Sequence, residues 1–377
     1  MPTPANSLTP SPAVRQDERL SLTVGGVTHH DWLRVAVHAS FLTPAGAWEF
    51  SVGNSTNALP TEVHAGARAV LRAGNDVLMT GLIDDVEHGV SRGQHLLTLT
   101  GRDNAAALVD CSAPIFTAQD MTLHEVMQKI VRPLGITQTA IHAEKSLAPK
   151  KFTVDPGESA WDALKKAAEV SGLWPWVAPD GTLIIGGPDY SAPPVASLVM
   201  KSDGSGNVLD LMRRTSIAGR YSSVTVLTQG HALVHQDGKH NRKGTATDDG
   251  FALYRPLIRV MGDTDSDDEA DTRARKLLSD SRLNALTLTA VVRGVRTSTG
   301  VAWTPGQRVA LRSDIHDIDG IYFLMARSIR GGRGMPLTTT LTLKESGVWI
   351  PDAWPKSRHK PKGKKTTGTW TDWRDIK

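Results

Sequence analysis

The sequence predicts a mainly β protein with an α+β insert, in which two related β-barrel domains flank a central α+β module. Short alternating runs of apolar residues, separated by glycine-containing turns, occupy both outer parts of the chain. The compact stretch from Phe152 to Gly187 has instead the pattern of a strand, a helix and a tight hairpin. The outer parts also repeat each other, because residues 74–79 (GNDVLM) are matched by residues 306–311 (GQRVAL).

The composition is that of a globular protein large enough for several domains. The chain has 377 residues, of which 40% are hydrophobic and 22% are charged. No long apolar run is present, so no membrane segment is predicted. Residues 1–18 are rich in proline and lack the apolar core of a signal peptide, so we expect a flexible arm on a protein folded in a cytoplasm. The single cysteine, Cys111, excludes an intrachain disulfide, and its neighbours predict that it is buried.

Residues 19–110 are predicted to form the first β-barrel domain. Leucine and valine alternate over residues 20–24 as far as a Gly-Gly turn, and further strand-like segments recur between turns up to residue 100. A short turn of helix near residue 106 then leads into the next module.

Residues 111–192 are predicted to form the central α+β module, with two helices. Thr122 and Glu125 have the spacing of a capping box in front of an apolar helical stripe. Ser159 is a candidate N-cap for the second helix. Two strand-like runs on either side of the Pro-Asp-Gly turn at residues 179–181 predict a hairpin after that helix.

Residues 193–350 are predicted to form the second β-barrel domain. It contains one helix with an acidic start, at about residues 266–281, whose charges suit the helix dipole. A predicted hairpin at residues 320–343 repeats the predicted hairpin at residues 81–99, and both end in alternating threonine and leucine. This second match supports a duplicated barrel.

Residues 351–377 are predicted to be a basic, tryptophan-containing tail. Residues 355–377 carry eight Lys or Arg and two Asp, a charge of +6, whereas the whole chain carries +4. The rest of the chain is therefore about neutral, and a basic face for duplex DNA is not predicted. The candidate anchors for a partner are the tryptophans in and just before this region, Trp349, Trp354, Trp370 and Trp373. A protein partner is favoured over single-stranded nucleic acid, because a tail has no groove to follow a nucleic-acid backbone.

The sequence predicts no catalytic, cofactor-binding or metal-binding residues. Residues 263–274 begin like an EF-hand loop but lack its glycine and its final glutamate, so an acidic helix start is preferred. His231 and His235 have a spacing that two metal ligands on a strand can have, but a polar loop explains them more simply. Adjacent carboxylates such as Asp84 and Asp85 resemble solvated strand ends. An enzyme is therefore not predicted.

Four stretches of this chain together resemble the baseplate hub proteins of Mu-like contractile-tailed bacteriophages. They are residues 96–114 (LLTLTGRDNAAALVDCSAP), 152–173 (FTVDPGESAWDALKKAAEVSGL), 207–230 (NVLDLMRRTSIAGRYSSVTVLTQG) and 286–294 (LTLTAVVRG). The match runs in order from about Leu20 to Pro351, and the arm and the tail lie outside it.

The resemblance implies a structural protein of the virion tail baseplate. It implies a homotrimer in which each chain contributes two similar barrels to a pseudo-sixfold ring. The implied partners are the sixfold tail tube, the threefold central spike and other baseplate proteins, with a lumen through which DNA passes. Assembly would take place in the host cytoplasm, and the function would lie in barrel edges and loops instead of an active site.

Two alternatives from other functional classes stay open. Residues 154–173 are also similar to the opening of a LysM peptidoglycan-binding module, although a hairpin is predicted where that module has a second helix. A muralytic tail-associated enzyme is the other alternative, and it lacks a recognisable catalytic pair.

Overall fold

The computed structural model describes residues 18–349 except residues 31, 54–60, 93, 120, 143–150, 171–172, 230–240 and 262–266. The predicted arm except Glu18, the whole predicted tail, and the residues His231, His235 and 263–266 lie outside the described part. Within that part the chain is mainly β, as predicted, and one large sheet dominates it.

The first β unit consists of seven antiparallel strands. They are β1 Leu20–Val24, β2 Val27–His29, β3 Arg34–Ser40, β4 Ala47–Gly53, β5 Arg68–Ala73, β6 Asp76–Ser91 and β7 Gln94–Asp103. Their order in the sheet is β2-β1-β5-β6-β7-β4-β3. The alternation read from the sequence puts Leu22, Phe50, Leu71 and Leu99 on the buried face.

The central module follows with three helices and two small sheets. Its elements are α1 Ala106–Asp110, β8 Thr117–Gln119, α2 Leu123–Val131, a 3-10 turn Arg132–Leu134, β9 Thr139–His142, β10 Lys151–Thr153, α3 Ala160–Val170, β11 Trp174–Val177 and β12 Leu183–Gly186. Both predicted caps are confirmed, because Thr122 and Glu125 form a reciprocal capping box and the Ser159 hydroxyl accepts the Asp162 N–H. The predicted hairpin is the antiparallel pair β11 and β12.

The second β unit consists of six strands. They are β13 Ser197–Met200, β14 Val208–Thr215, β18 Leu286–Arg293, β19 Arg308–Ser313, β20 Ile318–Gly332 and β21 Met335–Glu345. Strands β20 and β21 form the predicted long hairpin. The core side chains of the second unit include Leu288 of β18, Val309 of β19, Leu324 of β20 and Leu341 of β21.

A further unit, which we name the α4 unit, lies between β14 and β18. It contains β15 Ser223–Gln229, β16 Asn241–Thr247, β17 Pro256–Met261 and helix α4 Asp267–Ala285. Its three-stranded sheet, in the order β16-β15-β17, is separate from the large sheet, and α4 packs on one face through Ala270, Ala274 and Leu278. The helix predicted at about residues 266–281 thus ends at Ala285 and belongs to this unit.

The two β units are not two separate sheets, because strand β20 takes part in both. Its first half, from Ile318 to Phe323, pairs with β19, and its second half pairs with β3 of the first unit through residues 326–331. Strand β21 runs along the other side of β20. A single 13-stranded sheet therefore passes through both units.

The internal repeat holds for the hairpins and fails for the segments in front of them. Residues 74–79 open β6, which continues into its hairpin without a break, whereas residues 306–311 lead into β19, a separate strand. The difference arises at residues 314–317, where a turn containing Asp317 with a positive φ of 51° ends β19 before β20 begins.

The prediction that Cys111 is buried is wrong. Its side chain is exposed at the end of α1, because that helix buries Ala106 and Leu108 and turns Val109, Asp110 and Cys111 outward.

Candidate interaction surfaces and the junction of the units

The outer face of the α4 unit exposes apolar side chains on an open strand edge. Val260 and Ile258 of β17 are 75% and 64% exposed, and Leu227 of β15 lies opposite Val260 on the same face. Among the described residues β17 pairs only with β15, so its other edge has free backbone N–H and C=O groups. We name this surface, residues 227, 258 and 260 with the free edge of β17, the β17 face. Such an edge is suited to pairing with another chain.

The hairpin of β6 and β7 provides a second open edge. In the described part, residues 84–91 of β6 pair only with β7, because β5 reaches no further than Leu82. This edge carries charge at its base, where the Arg102 guanidinium binds Asp84 at 2.7 Å and Asp110 at 2.6 Å. Charged residues on an edge discourage unspecific strand pairing.

The two β units meet around a buried arginine, Arg327 of β20. Its side chain is 1% exposed, and it donates hydrogen bonds to the Trp303 carbonyl oxygen of the second unit and to the Leu78 carbonyl oxygen of the first, the latter at 2.8 Å. Burial lowers the pKa of Arg327 to about 10, so the guanidinium still carries its proton at neutral pH. Arg327 therefore links the two β units through backbone groups.

An aromatic cluster connects the central module to the same junction. The Trp174 indole N–H donates to the Phe41 carbonyl oxygen at 3.0 Å, and its ring centroid lies 5.7 Å from that of Trp349. Trp349 also contacts Phe41 at 5.6 Å between centroids, and its carbonyl oxygen accepts the Tyr190 hydroxyl at 2.6 Å. The cluster joins the central module, the segment after β3 and the chain after β21.

Asp103 holds the loop between β3 and β4 against the central module. Its carboxylate accepts the Gly46 N–H and the Ala105 N–H, both at 2.8 Å. Burial raises the pKa of Asp103 to about 6, against the weaker opposite effects of these two hydrogen bonds and of the neighbouring Arg102.

This raised pKa predicts a pH dependence of stability. Because the folded-state pKa lies above the unfolded-state value, the folded chain binds the proton more tightly, and the contribution of Asp103 to stability grows as the pH falls through 6 towards 4. We expect the free energy of unfolding, relative to that of Asp103→Asn, to rise by about 1 kcal/mol between pH 7 and pH 5. Urea unfolding of both proteins at the two pH values measures this. An equal difference at both would contradict it.

The predicted partner anchors are placed as follows. Trp349 is 2% exposed within the aromatic cluster, so it packs inside its own chain, and we withdraw it as a partner anchor. Trp354, Trp370 and Trp373 lie outside the described residues, and their role stays a prediction.

The adjacent carboxylates of β6 both have partners. Asp84 forms an ion pair with Arg102, and Asp85 accepts a hydrogen bond from the Thr100 hydroxyl.

Three other features bear on the alternatives. Among the described residues no cluster of three or more His, Cys, Asp or Glu side chains has a metal-binding arrangement, and no helix there is long and apolar enough to cross a membrane. Helix α3 is followed by the β11–β12 hairpin where a LysM module has a second helix. The peptidoglycan-binding alternative therefore stays a prediction without structural support.

Sequence reasoning missed Arg327, although a signal was present. Phe323, Met325, Arg327 and Ile329 follow one another at a spacing of two and are all buried. A charged residue at a core-facing position of a strand needs buried hydrogen-bond partners. The position of Arg327 among these apolar residues could therefore have indicated a buried polar contact at the junction.

Family models match four consecutive parts of the chain. Residues 19–103 match the N-terminal domain of the Mu phage GpP-like baseplate assembly proteins, and residues 105–187 match the second domain of the gp44-like baseplate hub proteins. Residues 220–278 match the third domain of the NMB1110-like tail proteins, and residues 280–348 match an NMB1110-like tail-protein C-terminal domain. The third match coincides with the α4 unit.

Individual relatives agree with these models. The baseplate hub protein gp44 of Escherichia phage Mu is 26% identical over 320 residues, 82% of either chain. The solved tail protein from Neisseria meningitidis MC58 is 37% identical with a TM-score of 0.79, covering 89% of this chain and 99% of that one. The 43 kDa tail protein of prophage MuSo2 from Shewanella oneidensis is 21% identical and shares the fold, with a TM-score of 0.77 over 88% of this chain and 99% of that one.

Proposed function

Since the chain belongs to the family of Mu-like bacteriophage baseplate hub and tail proteins, we propose that three copies form the hub ring of a contractile-tail baseplate. The relatives support a structural baseplate role, and their location is the virion tail. In our proposal the ring joins a sixfold tail tube to a threefold central spike and other baseplate proteins. It leaves a lumen for DNA, and the chain assembles in the host cytoplasm.

The observation that carries this proposal is the presence of two similar β units in one chain. Each is built on a long hairpin, β6–β7 or β20–β21, and β20 joins them into one sheet. Three chains with two such units present six similar modules around a threefold axis. That arrangement meets a sixfold partner on one side and a threefold partner on the other.

Closed barrels are the form that we propose for these units. In the second unit the strands follow the order β13-β19-β20-β21-β18-β14. The chain between β13 and β14 supports closure, because the Asn207 N–H donates to the Val199 carbonyl oxygen and the Lys201 N–H donates to the Ser205 carbonyl oxygen, both at 3.1 Å. One apolar cluster with members on all six strands fills the interior. Closure leaves no open edge between β13 and β14 of the second unit.

We propose the β17 face as a contact between neighbouring subunits. An open edge and outward apolar side chains favour pairing with a second copy when three chains close a ring. Trp370 and Trp373 stay proposed anchors for another baseplate protein.

The solution mass of the full-length protein tests the proposed ring. Light scattering over a concentration series is expected to give three times the 40.6 kDa of the chain. A monomer at every concentration would contradict self-assembly of the ring.

A single substitution tests the contact surface. Replacing Val260 with lysine puts a charge into the apolar β17 face. We expect the trimer association constant to fall at least tenfold, because the loss of a central interface residue costs about 2 kcal/mol or more. The control is Ile315→Lys, which changes an apolar residue of similar exposure in the loop between β19 and β20. Equal association of both variants would remove the β17 face from the interface.

A further inference from the structure

The large sheet has one stretch with an open edge in each β unit. In the second unit, residues 211–215 of the end strand β14 pair only with β18 within the described part. The bonds that close this unit involve residues 199–207, which precede that stretch. In the first unit, residues 84–91 of β6 pair only with β7 among the described residues. Each unit therefore keeps one edge that can accept a further strand.

These two edges belong to a repeated arrangement of four strands. The order β14-β18-β21-β20 in the second unit corresponds to the order β3-β4-β7-β6 in the first. The two long hairpins also share a bulge at the same place, between Leu324 and Ala326 of β20 and between Ile83 and Asp85 of β6. Each group of four thus begins with the strand β14 or β3 and ends with the hairpin strand β20 or β6.

Inside the chain, the end of one group is joined to the beginning of the other. This joint is the antiparallel pairing of β20 with β3, which runs from Ala326 opposite Ser40 to Gly331 opposite Val35. The corresponding strands at the two open edges are β6 and β14, and in the described structure they do not pair with each other. A second copy of the chain offers β14 to β6 in the way that β3 is offered to β20.

We propose that β6 of each chain pairs antiparallel with β14 of the next chain, and that three such joints close the hub ring. The six groups of four strands, two from each chain, then follow one another around the ring. This inference rests on the proposed function and assigns the strands that connect the subunits. It concerns the large sheet, whereas the β17 face belongs to the α4 unit.

The internal joint also gives the register of the proposed one. Glu87 lies two residues beyond the bulge of β6, as Ser328 does in β20. Arg214 holds the position in β14 that His38 holds in β3, since both are aligned with the hairpin through the strand between them. Ser328 and His38 face each other in the internal joint. Glu87 therefore lies opposite Arg214 of the next chain.

The charges at this register are complementary. Glu87 and Arg214 are both exposed, and neither forms an ion pair within the described part of the chain. In its own chain Arg214 lies near another cation, because burial and the charge of Arg214 lower the pKa of Lys344. Opposite charges that face each other across two strands stabilise the pairing, and they also select the right partner for a charged edge.

The apolar side chains next to this pair are complementary as well. Two residues along on the same face, Met212 of the next chain lies opposite Gly89, which has no side chain to obstruct it. Leu96 of β7 faces Gly89 from the other side. Met212 and Leu96 are 53% and 44% exposed in the single chain, and the joint would bring them together over the glycine.

A cysteine pair in the full-length protein tests the register. Glu87→Cys with Arg214→Cys puts two thiols opposite each other between neighbouring chains, and Cys111→Ser removes the exposed native thiol. We expect mild oxidation to join three chains covalently, seen without reductant as three times the chain mass. The matched control is Glu87→Cys with Arg213→Cys, whose thiols lie on opposite faces because successive residues of a strand alternate. Its cross-linking should be at least about tenfold slower.

A charge exchange tests the ion pair. Glu87→Arg puts like charges opposite each other at all three joints, so we expect the trimer association constant to fall at least about tenfold. Adding Arg214→Glu restores an opposite pair and should return the constant to within about threefold of the parent. Adding Arg213→Glu instead should give no such recovery. Light scattering over a concentration series measures all three variants.

These experiments separate the pairing from the ring itself. A trimer whose test pair cross-links no faster than the control pair would leave the ring standing and overturn the pairing. A monomer at every concentration would overturn both. Covalent dimers from Glu87→Cys alone would overturn the pairing in favour of two β6 edges that face each other.

Discussion

Replacing Arg327 with alanine is expected to lower the free energy of unfolding by about 3–5 kcal/mol. The guanidinium is buried and satisfies two backbone carbonyl oxygens that belong to different units. The Leu78 carbonyl oxygen has no alternative partner in the described sheet. In the register between β5 and β6, Leu71 faces Met79 and Arg72 faces Val77, so Leu78 is left without a facing residue. A bulged residue leaves its carbonyl outside the ladder. The substitution would leave both acceptors buried without donors and open a cavity.

Two further variants make this expectation specific. Arg330→Ala, in the same strand but exposed, should change the free energy of unfolding by no more than about 0.5 kcal/mol. Arg327→Lys should recover part of the loss, because an ammonium can reach one carbonyl but lacks the fork that bridges two. Denaturant unfolding followed by circular dichroism measures all three. If Arg327→Ala were as stable as Arg330→Ala, the junction would not depend on this side chain.

Replacing Gly244 with valine is expected to destabilise the α4 unit by about 3 kcal/mol. A Cβ at this position would lie 2.1 Å from the carbonyl carbon of Ala270 and 2.2 Å from the Asp271 nitrogen, both backbone atoms of α4. Strand and helix could not keep their present distance, so the Thr245 N–H bond to the Asp271 carboxylate would be lost as well.

Hydrogen exchange followed by mass spectrometry measures this effect locally. Amides of β15, β16 and α4 should exchange faster, while those of the large sheet keep their protection. Gly250→Ala is the matched control in the same unit, since its added Cβ would meet only Asp248 Oδ1 at 3.4 Å. If the amides of Gly244→Val exchanged at unchanged rates, the packing of α4 against β16 would not depend on a glycine at this position.

Local patterns predicted the elements that depend on neighbouring residues. The capping box of Thr122 and Glu125, the Ser159 cap and the hairpin around residues 179–181 each involve contacts within a few positions, so the residue types alone indicate them. The long hairpins were predicted for the same reason. The family resemblance, which rests on longer stretches, is confirmed by the relatives.

Features that depend on distant partners were not predicted. Strand β16 reads as a polar loop because its buried positions are Gly244 and Ala246, small residues required by the approach of α4. Strand β17 was not predicted. Its apolar residues Ile258 and Val260 face outward, so they do not give the pattern of a strand with one buried apolar face. The pairing of β20 with β3 is not encoded near either strand, and only the buried register of Arg327 hints at it.

The pairing of β3 with β20 also constrains the order in which the protein can be completed. His38 pairs with Ser328, roughly 290 residues further along the chain, so β3 leaves the ribosome long before its partner exists. At ~5–20 residues per second this strand waits for roughly 15–60 s with one edge unpaired. During that interval the first unit can bury its own core but cannot cover this edge. Nascent chains on neighbouring ribosomes can therefore mispair at β3, and a chaperone that shields this strand would protect that edge until β20 is made.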